Sequence, residues 1–349
     1  MSVLRRQSMI PPALFLVLFL DLVAPSVSSA CTRVLWNDSG MPVLVGRTMD
    51  WPESTQPKIW VLPRGTARDG GAPENPAKWT SRYGSLVTSV YDLGSADGVN
   101  EKGLAAHLLF LKATDFGPRD AAKPGVLAGK WAQYVLDNFS TVNEALEGLG
   151  KIQPVMQEHG GFKSTVHLAI EDASGDSAIL EYINGKLEVH HGRQYTVMTN
   201  DPSYDQQLAY LKTLDFSHPS SDTPLPGNVK PTDRFARATY FRQLLRPTSD
   251  LRVAISAIMS IVRNVSVPFD APYLSDPRFA VYNTEYRTVI DMNPMVYFWE
   301  YSKSPSVLWV EAKNVNFAKG APVKSLDPTA LDLNGEVSGR FQTVAKAPF

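Results

Sequence analysis

Apolar runs rich in β-branched residues occur near both ends of the chain, and the middle carries apolar residues at helical spacing. Short runs bounded by turn-forming residues predict strands, and spacings of three and four residues predict helices. The predicted strands lie within 31–36, 42–51, 84–94, 103–111, 164–192, 195–202 and 279–312. The predicted helices lie within 127–152, 202–214, 232–245 and 250–265, and the segment 63–80 is predicted to be a surface loop.

Cap residues support these boundaries. Thr141 and Glu144 have the spacing of a capping box inside the first helical segment. Thr232 or Asp233 is expected to cap a later helix. Strands at both ends with helices between them predict an α+β fold with a largely antiparallel sheet. The tail beyond about residue 321 is predicted to be irregular.

Composition narrows the class of protein. The chain has 349 residues, of which 44% are hydrophobic and 20% charged, and its formal net charge is -1. These values are typical of a globular protein. A balance so close to zero gives no electrostatic reason to expect nucleic acid or an anionic membrane surface as a partner.

The first thirty residues have a different pattern. Two arginines precede an apolar run over 13–24, and Ser28 and Ala30 stand at positions −3 and −1 before the next residue. This order is typical of a secretory signal peptide rather than a membrane span. We therefore expect 1–30 to be removed and 31–349 to form one mature domain that is periplasmic or secreted.

Cys31 follows this segment and is the only cysteine in the chain. A single thiol cannot form an internal disulfide, and in an exported protein it indicates intermolecular pairing or reactivity. Cleavage after Ala30 would give Cys31 a free α-amine with an ordinary pKa of about 7.7–8.0, which can act as a base near neutral pH. Nucleophile and base would then belong to one residue.

The residues after Cys31 predict a hairpin that brings charge to the thiol. A turn centred near Ser39 would place Arg47 directly opposite Cys31, and a nearby cation favours the thiolate. Asp50 lies one strand step further and on the other face unless the strand bends near Met49. The hairpin thus offers a cation and a carboxylate close to one cysteine.

Two other interpretations of Cys31 stay open on these residues. Bacterial lipoproteins also carry a cysteine directly after the signal, so Cys31 could be acylated in a lipid-anchored binding protein. Ser28, however, stands where such signals usually have leucine. Cys31 could also be inert beside an unrelated cleavage site, with Arg47 and Asp50 as an ordinary surface pair.

Four segments together resemble the choloylglycine hydrolase family, which contains penicillin V acylases and conjugated bile salt hydrolases. They are CTRVLWNDSGMPVLVGRTMDW at 31–51, DGVNEKGL at 97–104, VMTNDPSYDQQL at 197–208 and DRFARATYF at 233–241. The resemblance runs from Cys31 to about Phe317, and the segment after 282 looks more like the Gram-negative branch. It implies an αββα fold of two stacked antiparallel sheets between helical layers. It also implies an N-terminal nucleophile hydrolase of linear amides and assembly as a homotetramer.

The resemblance also implies a role for individual residues. Cys31 matches the nucleophile, whose amine is the base, and Arg47 and Asp50 match the arginine and aspartate that surround it. Asn200 matches the asparagine whose side chain helps form the oxyanion hole. Arg234 matches the second active-site arginine.

One position departs from the bile salt hydrolase pattern. Phe110 stands where those enzymes have asparagine and some penicillin V acylases have tyrosine. Its backbone N–H could still serve the oxyanion, and its ring makes the acyl pocket more apolar. Trp51 offers a further aromatic wall, although both rings could equally belong to the core.

The leading hypothesis is therefore an amidohydrolase of the penicillin V acylase type, acting on a small-molecule amide with an apolar or aromatic acyl group. N-acyl homoserine lactones are an alternative substrate class for the same chemistry, and the Phe110 position disfavours bile salts. A family member that binds ligands without turnover is a further alternative. We expect no metal or organic cofactor, since neighbouring His190 and His191 would point to opposite faces of a strand.

Overall fold

The structure is a computed structural model that describes residues 31–159, 162–272 and 283–349. The predicted signal peptide, 1–30, lies outside the described residues, as does the beginning of the predicted C-terminal strand segment. The α-helices are α1 Trp131–Asn138, α2 Val142–Leu149, α3 Tyr204–Leu211, α4 Pro231–Gln243 and α5 Leu251–Asn264. Short 3₁₀ turns cover Ala128–Lys130, Ala312–Asn314 and Ser338–Arg340.

The strands, in chain order, are β1 Thr32–Trp36, β2 Leu44–Trp51, β3 Ile59–Leu62, β4 Ala67–Asp69, β5 Lys78–Thr80, β6 Ser85–Val90, β7 Gly94–Asn100, β8 Leu104–Phe110, β9 Gly125–Leu127, β10 Gln153–Val155, β11 Glu158–His159, β12 Phe162–Lys163, β13 Val166–Asp172, β14 Ser177–Ile183, β15 Lys186–His191, β16 Val197–Met198, β17 Asn283–Asp291, β18 Val296–Tyr301, β19 Val307–Glu311, β20 Lys324–Leu326, β21 Gly335–Glu336 and β22 Gln342–Thr343.

Most of these strands form two large sheets. Sheet A has the order β16-β1-β2-β17-β18-β19-β21, and sheet B has the order β15-β14-β13-β8-β7-β6-β3-β20-β22. Their neighbouring strands pair antiparallel except β19 and β21. Helices α4 and α5 contact the strands of sheet A, whereas α1 and α2 contact those of sheet B. This layering confirms the α+β class and the αββα arrangement.

Alternation along β8 shows how one strand serves two interfaces. Leu104, Ala106 and Leu108 pack with the residues of α1 on the outer face of sheet B. Ala105 and Leu109 point the other way and pack with sheet A. Because successive side chains of a strand point to opposite faces, one apolar strand can fill both layers of the core.

The β1–β2 hairpin differs from its prediction by one residue in the turn. Arg33, not Cys31, lies opposite Arg47, so the turn is centred on Gly40 rather than Ser39. Gly40 has a φ of +79°, which glycine adopts without the steric penalty of a side chain. The predicted direct pairing of Cys31 with Arg47 is therefore wrong. Both side chains still lie on the same face, because strands repeat every two residues.

Most predicted elements are present, with several local differences. Strands β3 and β7 form where no strand was predicted. The predicted surface loop 63–80 contains the small antiparallel pair of β4 and β5. Helix α4 begins at Pro231, with Lys230 rather than Thr232 or Asp233 at its cap position. Proline suits the first helical position because its φ is already helical and its missing N–H would have no partner there.

Only half of the predicted capping box forms. The backbone N–H of Glu144 donates to Thr141 Oγ1 at 3.2 Å, but the Glu144 carboxylate accepts hydrogen bonds from Ser140 rather than from the Thr141 N–H. The tail beyond residue 321 is more ordered than predicted. Three short strands, β20, β21 and β22, interrupt an otherwise irregular tail, and β20 joins the edge of sheet B beside β3. Within the described ranges, no helix combines the length and apolar character needed to cross a membrane.

Gly46 provides a test of how closely α5 packs on sheet A. A Cβ atom at this position would lie 2.7 Å from Val262 Cγ1 on α5. We expect Gly46→Ala to lower the free energy of unfolding by about 1–3 kcal/mol, because a packed core resists an added methyl group. Urea unfolding measures the effect. Adding Val262→Ala should relieve the clash, and purely additive effects of the two substitutions would contradict the contact.

Candidate active site

Cys31 lies directly before β1 and is 3% exposed. Its sulfur points between the two sheets, 3.8 Å from Arg47 Nη2 and 3.9 Å from Met49 Sδ. Because Arg47 and Met49 are two residues apart on β2, both project from the same face, the inner face of sheet A. The only thiol of the chain thus faces a cation inside the protein.

The Arg47 guanidinium is fully buried and held mainly by backbone carbonyls of sheet B. Its Nη1 donates to the Ala96 carbonyl, and its Nη2 donates to the Leu108 carbonyl at 3.0 Å. Its Nε donates to the Thr48 carbonyl at 3.3 Å. In the described part of the chain, no carboxylate forms a salt bridge with Arg47. Burial is the largest effect and lowers the Arg47 pKa, but the surrounding groups, Cys31 first among them, together outweigh it and raise the value, so the guanidinium stays protonated.

The backbone of Cys31 is bound on the opposite side of the hairpin. Its nitrogen donates to Asn200 Oδ1, and Arg234 Nη1 donates to its carbonyl oxygen at 2.8 Å. Arg234 Nη2 also donates to Asn200 Oδ1 at 3.2 Å, while Asn200 Nδ2 donates to the Phe110 carbonyl at 2.7 Å. Two donors at Oδ1 and one acceptor at Nδ2 define the orientation of the Asn200 amide.

Asp50 completes this side of the site. Its Oδ2 lies 3.5 Å from Arg234 Nη1 and accepts a hydrogen bond from Thr48 Oγ1 at 3.1 Å. Thr284 Oγ1 donates to its other oxygen. Burial raises the Asp50 pKa to about 6, although Arg234 and the two hydroxyls favour the ionised form. The carboxyl group therefore binds a proton more readily than an exposed aspartate does.

The predicted residues are thus brought together from separate parts of the fold. Cys31, Arg47, Asp50, Asn200 and Arg234 meet at one end of β1, where β2, the turn after β16 and α4 converge. These residues lie on two sides of Cys31. Its sulfur contacts Arg47 on the inner face of sheet A, whereas its backbone contacts Asn200 and Arg234.

Sequence reasoning missed the side chains that support these groups. Thr48 and Thr284 bond Asp50, and Gln207 Nε2 donates to the Asn200 carbonyl at 2.7 Å. Thr48 could have been identified, because it is two residues before Asp50 on a predicted strand and so shares its face. Thr284 and Gln207 reach the site only through the tertiary fold.

A cavity of about 490 Å³ opens beside the Cys31 sulfur. Trp51 and Phe110 both line it, with ring centroids 6.3 Å apart, so both predicted aromatic walls face the cavity. Trp51 Nε1 donates to the Tyr91 hydroxyl at 2.8 Å, which fixes the indole plane. The other apolar lining residues are Met49, Val90, Leu93, Ala96, Leu108, Leu109 and Val166. Such a cavity suits an apolar or aromatic group.

Burial also changes the acidity of the thiol. It raises the Cys31 pKa above its usual range, against the opposing effect of the Arg47 guanidinium. The carboxylate of Asp50 adds to the increase. A thiol in this position needs a base close by before it can react.

His190 has acidic neighbours on its own strand and on the adjacent strand of the hairpin. Glu181, Glu188 and His190 place potential ligand atoms within 4.8 Å of one another on β14 and β15. Glu181 already accepts a hydrogen bond from His167 Nδ1 at 2.7 Å and one from the Tyr204 N–H at 2.9 Å. Among the described residues, this is the group whose donor atoms could hold a cation.

Two stacked, largely antiparallel sheets between helices define the fold of the N-terminal nucleophile hydrolases, and comparison with known proteins supports this class. The chain resembles the structure of penicillin V acylase from Agrobacterium tumefaciens with a TM-score of 0.82 and 38% identity, covering 91% of this chain and 98% of that one. A variant of the conjugated bile acid hydrolase from Clostridium perfringens has the same fold, with a TM-score of 0.73 and 23% identity over 85% of this chain and 96% of that one.

Sequence comparison then gives the family. Residues 31–331 match the model for linear amide C–N hydrolases of the choloylglycine hydrolase family. The chain is also 38% identical over 346 residues to a penicillin V acylase from Pectobacterium atrosepticum, covering 91% of each chain. The chain therefore belongs to the choloylglycine hydrolase family and is a hydrolase of linear amide C–N bonds.

The Asp50 pKa predicts how stability varies with pH. Because the folded-state pKa of about 6 exceeds the value of about 3.9 that is ordinary for an aspartate in an unfolded chain, the folded protein binds this proton more tightly than the unfolded chain. The stability contributed by the proton is full below about pH 4 and is lost as the pH rises through about 6. Relative to Asp50→Asn, the wild type should lose unfolding free energy across this window. Urea unfolding at several pH values tests this, and parallel stability curves would contradict it.

Proposed function

We propose that the protein is an exported amidohydrolase of the penicillin V acylase type, in which Cys31 becomes the N-terminal residue and attacks a linear amide. One observation carries the proposal: the Cys31 sulfur lies beside Arg47 at an apolar cavity, while its backbone nitrogen is bound by Asn200. The family match begins at Cys31, which also favours this residue as the start of the mature enzyme.

In the first step, the α-amine takes the proton of its own thiol and the thiolate attacks the amide carbon. This pairing suits a thiol whose pKa is raised by burial, because an adjacent base makes ionisation feasible. Arg47 then stabilises the developing thiolate across 3.8 Å. Arg234 holds the Cys31 carbonyl and the Asn200 amide in place, so the nucleophile is oriented before substrate binds.

The tetrahedral intermediate needs donors for its oxygen, and the edge of β8 supplies them. The Leu111 N–H points towards β13, because it donates to the Thr165 carbonyl. Backbone groups of a strand alternate between its two edges, so those of Leu108 and Phe110 point to the edge of β8 away from β13. Contacts of Leu108 with Arg47 and of Phe110 with Asn200 agree with this direction. The Phe110 N–H and the second N–H of Asn200 Nδ2 are thus suited to bind the oxyanion.

Collapse of the intermediate breaks the C–N bond, and the leaving amine takes a proton from the α-ammonium. The acyl group remains on Cys31 as a thioester. Water then loses a proton to the same α-amine and attacks the thioester, which releases the carboxylic acid and regenerates the thiol. Asp50, on the backbone side of Cys31, is placed to favour the ammonium form between these steps.

The cavity favours amides with an apolar or aromatic acyl group, such as phenoxyacetyl amides. Its walls come from Trp51, Phe110 and neighbouring aliphatic side chains. Export rests on the signal pattern of 1–30, and cleavage after Ala30 would create the catalytic amine. The homotetramer that the family resemblance implies stays a prediction, open to sedimentation measurements.

Cys31→Ser tests the nucleophile. We expect acid release from penicillin V by the mature protein to fall by more than about 10³-fold, because a hydroxyl is a much weaker nucleophile at this pH. Intact-mass measurement and N-terminal sequencing of the wild type should find a free Cys31 as the first residue. A diacylglycerol adduct would support a lipid-anchored binding protein instead. Equal rates for wild type and Cys31→Ser would refute the cysteine mechanism.

Substitution of Phe110 tests the acyl pocket. We expect Phe110→Asn to raise KM for phenoxyacetyl amides by about 10-fold while kcat changes less, because the ring contributes binding in both ground and transition states. Phe110→Leu keeps an apolar side chain and should have a smaller effect. Steady-state kinetics with both variants checks the order. A KM unchanged by asparagine would place the acyl group elsewhere.

A further inference from the structure

Arg47 depends on a local break in the pairing of β7 with its neighbours. Asp97 lies opposite Thr88, but Ser95 lies opposite Ser89, so Ala96 is an extra residue that forms a β-bulge. The pairing of β7 with β8 ends at Asp97 and His107. A bulge leaves a backbone group unpaired in the ladder, and the Ala96 carbonyl bonds Arg47 instead of another strand.

Both carbonyls that hold Arg47 flank one buried ion pair. Ala96 precedes Asp97 on β7, and Leu108 follows His107 on β8. His107 Nδ1 forms an ion pair with Asp97 Oδ1, and both side chains are fully buried. This pair joins the two strands at the last position where they are in register. The ion pair is therefore placed between the two residues whose carbonyls bind Arg47.

The ion pair continues as a chain of charges to the neighbouring strand. His107 Nε2 contacts Glu171 Oε1 at 2.5 Å, and Glu171 Oε2 forms a salt bridge with Arg33. Arg33 is the residue of β1 that lies opposite Arg47. This series of charged side chains thus ends on sheet A at Arg33, directly beside Arg47.

At its other end, the series of charged side chains contacts sheet A through Asp97, on the opposite side of Arg47. Asp97 Oδ2 accepts hydrogen bonds from Thr288 Oγ1 at 2.6 Å and from the Tyr297 hydroxyl at 2.7 Å. Thr288 is the residue of β17 that lies opposite Arg47. Arg33 and Thr288 therefore flank Arg47 on sheet A, and both bind charged side chains of sheet B.

The charges of this chain are mutually stabilised. Although burial opposes ionisation, His107 and Arg47 lower the Asp97 pKa to about 2. Burial likewise lowers the His107 pKa, but Glu171 and Asp97 outweigh it and raise the value overall. The Tyr297 hydroxyl also faces Asp97. Glu171, whose pKa is lowered mainly by Arg33 and His107 against the effect of burial, shares this pattern, so the folded protein favours the charged form of all three groups.

We propose that Asp97 and His107 are positioning residues for the reaction of Cys31, because they hold the two carbonyls that keep the Arg47 guanidinium against the sulfur. This inference rests on the proposed role of Cys31. Neither residue touches the sulfur in the described contacts of Cys31. They act through the backbone and through Arg47, which the thiolate requires.

Asp97→Asn tests the inference, since it removes the charge and keeps the side-chain shape. We expect kcat for acid release to fall by about 10–100-fold with little change in KM, because a small displacement of a catalytic group costs this much. The pH profile of Cys31 alkylation by iodoacetamide should shift to higher pH, since a displaced Arg47 stabilises the thiolate less. A merely structural role would lower thermal stability without shifting this profile.

Thr288→Val provides a milder variant in case Asp97→Asn fails to fold. It removes one hydrogen bond to Asp97 and should change kcat and the alkylation profile in the same direction, and Thr288→Ser should recover both. Ser85→Ala is the matched control, because it removes a buried hydroxyl of β6 that bonds Gln133 at 3.2 Å. Its kcat and alkylation profile should match those of wild type.

The outcomes separate this inference from the proposed function. A folded Asp97→Asn or Thr288→Val protein with wild-type kcat and alkylation profile would overturn the positioning role, even where Cys31→Ser is inactive. Retained activity in Cys31→Ser would instead overturn the cysteine mechanism and, with it, the basis of the inference.

Discussion

The burial of the Arg47 guanidinium between two sheets is the constraint on which the site depends. A cation removed from water loses several kcal/mol of solvation unless the protein supplies polar partners. No carboxylate fills that role among the described residues near it, so backbone carbonyls of β7 and β8 must do so. Carbonyls in a regular ladder are already used, and the interruption at Ala96 is what makes them available.

The lack of a direct carboxylate partner for Arg47 among the described residues also has a chemical effect. A guanidinium paired with a carboxylate would be neutralised, whereas one solvated by carbonyls keeps its field for the nearby sulfur. The carboxyl group of Asp50 lies on the other face of β2, with Arg234. Alternation along a single strand thus separates two charged environments, and Cys31 contacts both because its side chain and its backbone point apart.

Much of the fold and several site residues could be predicted from the sequence. Short apolar runs identified β1, β2 and β8, and the position of a lone cysteine after a signal-like segment marked Cys31 as a candidate nucleophile. The resemblance then indicated Asn200 and Arg234, which no local pattern connects with Cys31. The structure brings both into contact with it.

Other features could not be predicted, for physical reasons. The turn of the first hairpin was misplaced by one residue, because several small and polar residues there suit a turn equally well. No local sequence pattern indicates the bulge at Ala96. The partners of Asp97 on β17 and β18 are 191 and 200 residues away in sequence. Thr284 and Gln207 likewise acquire their roles only when distant elements pack together.

The bulge at Ala96 also couples the wall of the cavity to the support of the guanidinium. Ala96 and Leu108 line the cavity, and their carbonyls accept hydrogen bonds from Arg47. A larger side chain at either position would narrow the cavity and act on a backbone group that binds the cation. At this wall, the shape of the cavity and the position of the guanidinium cannot change independently.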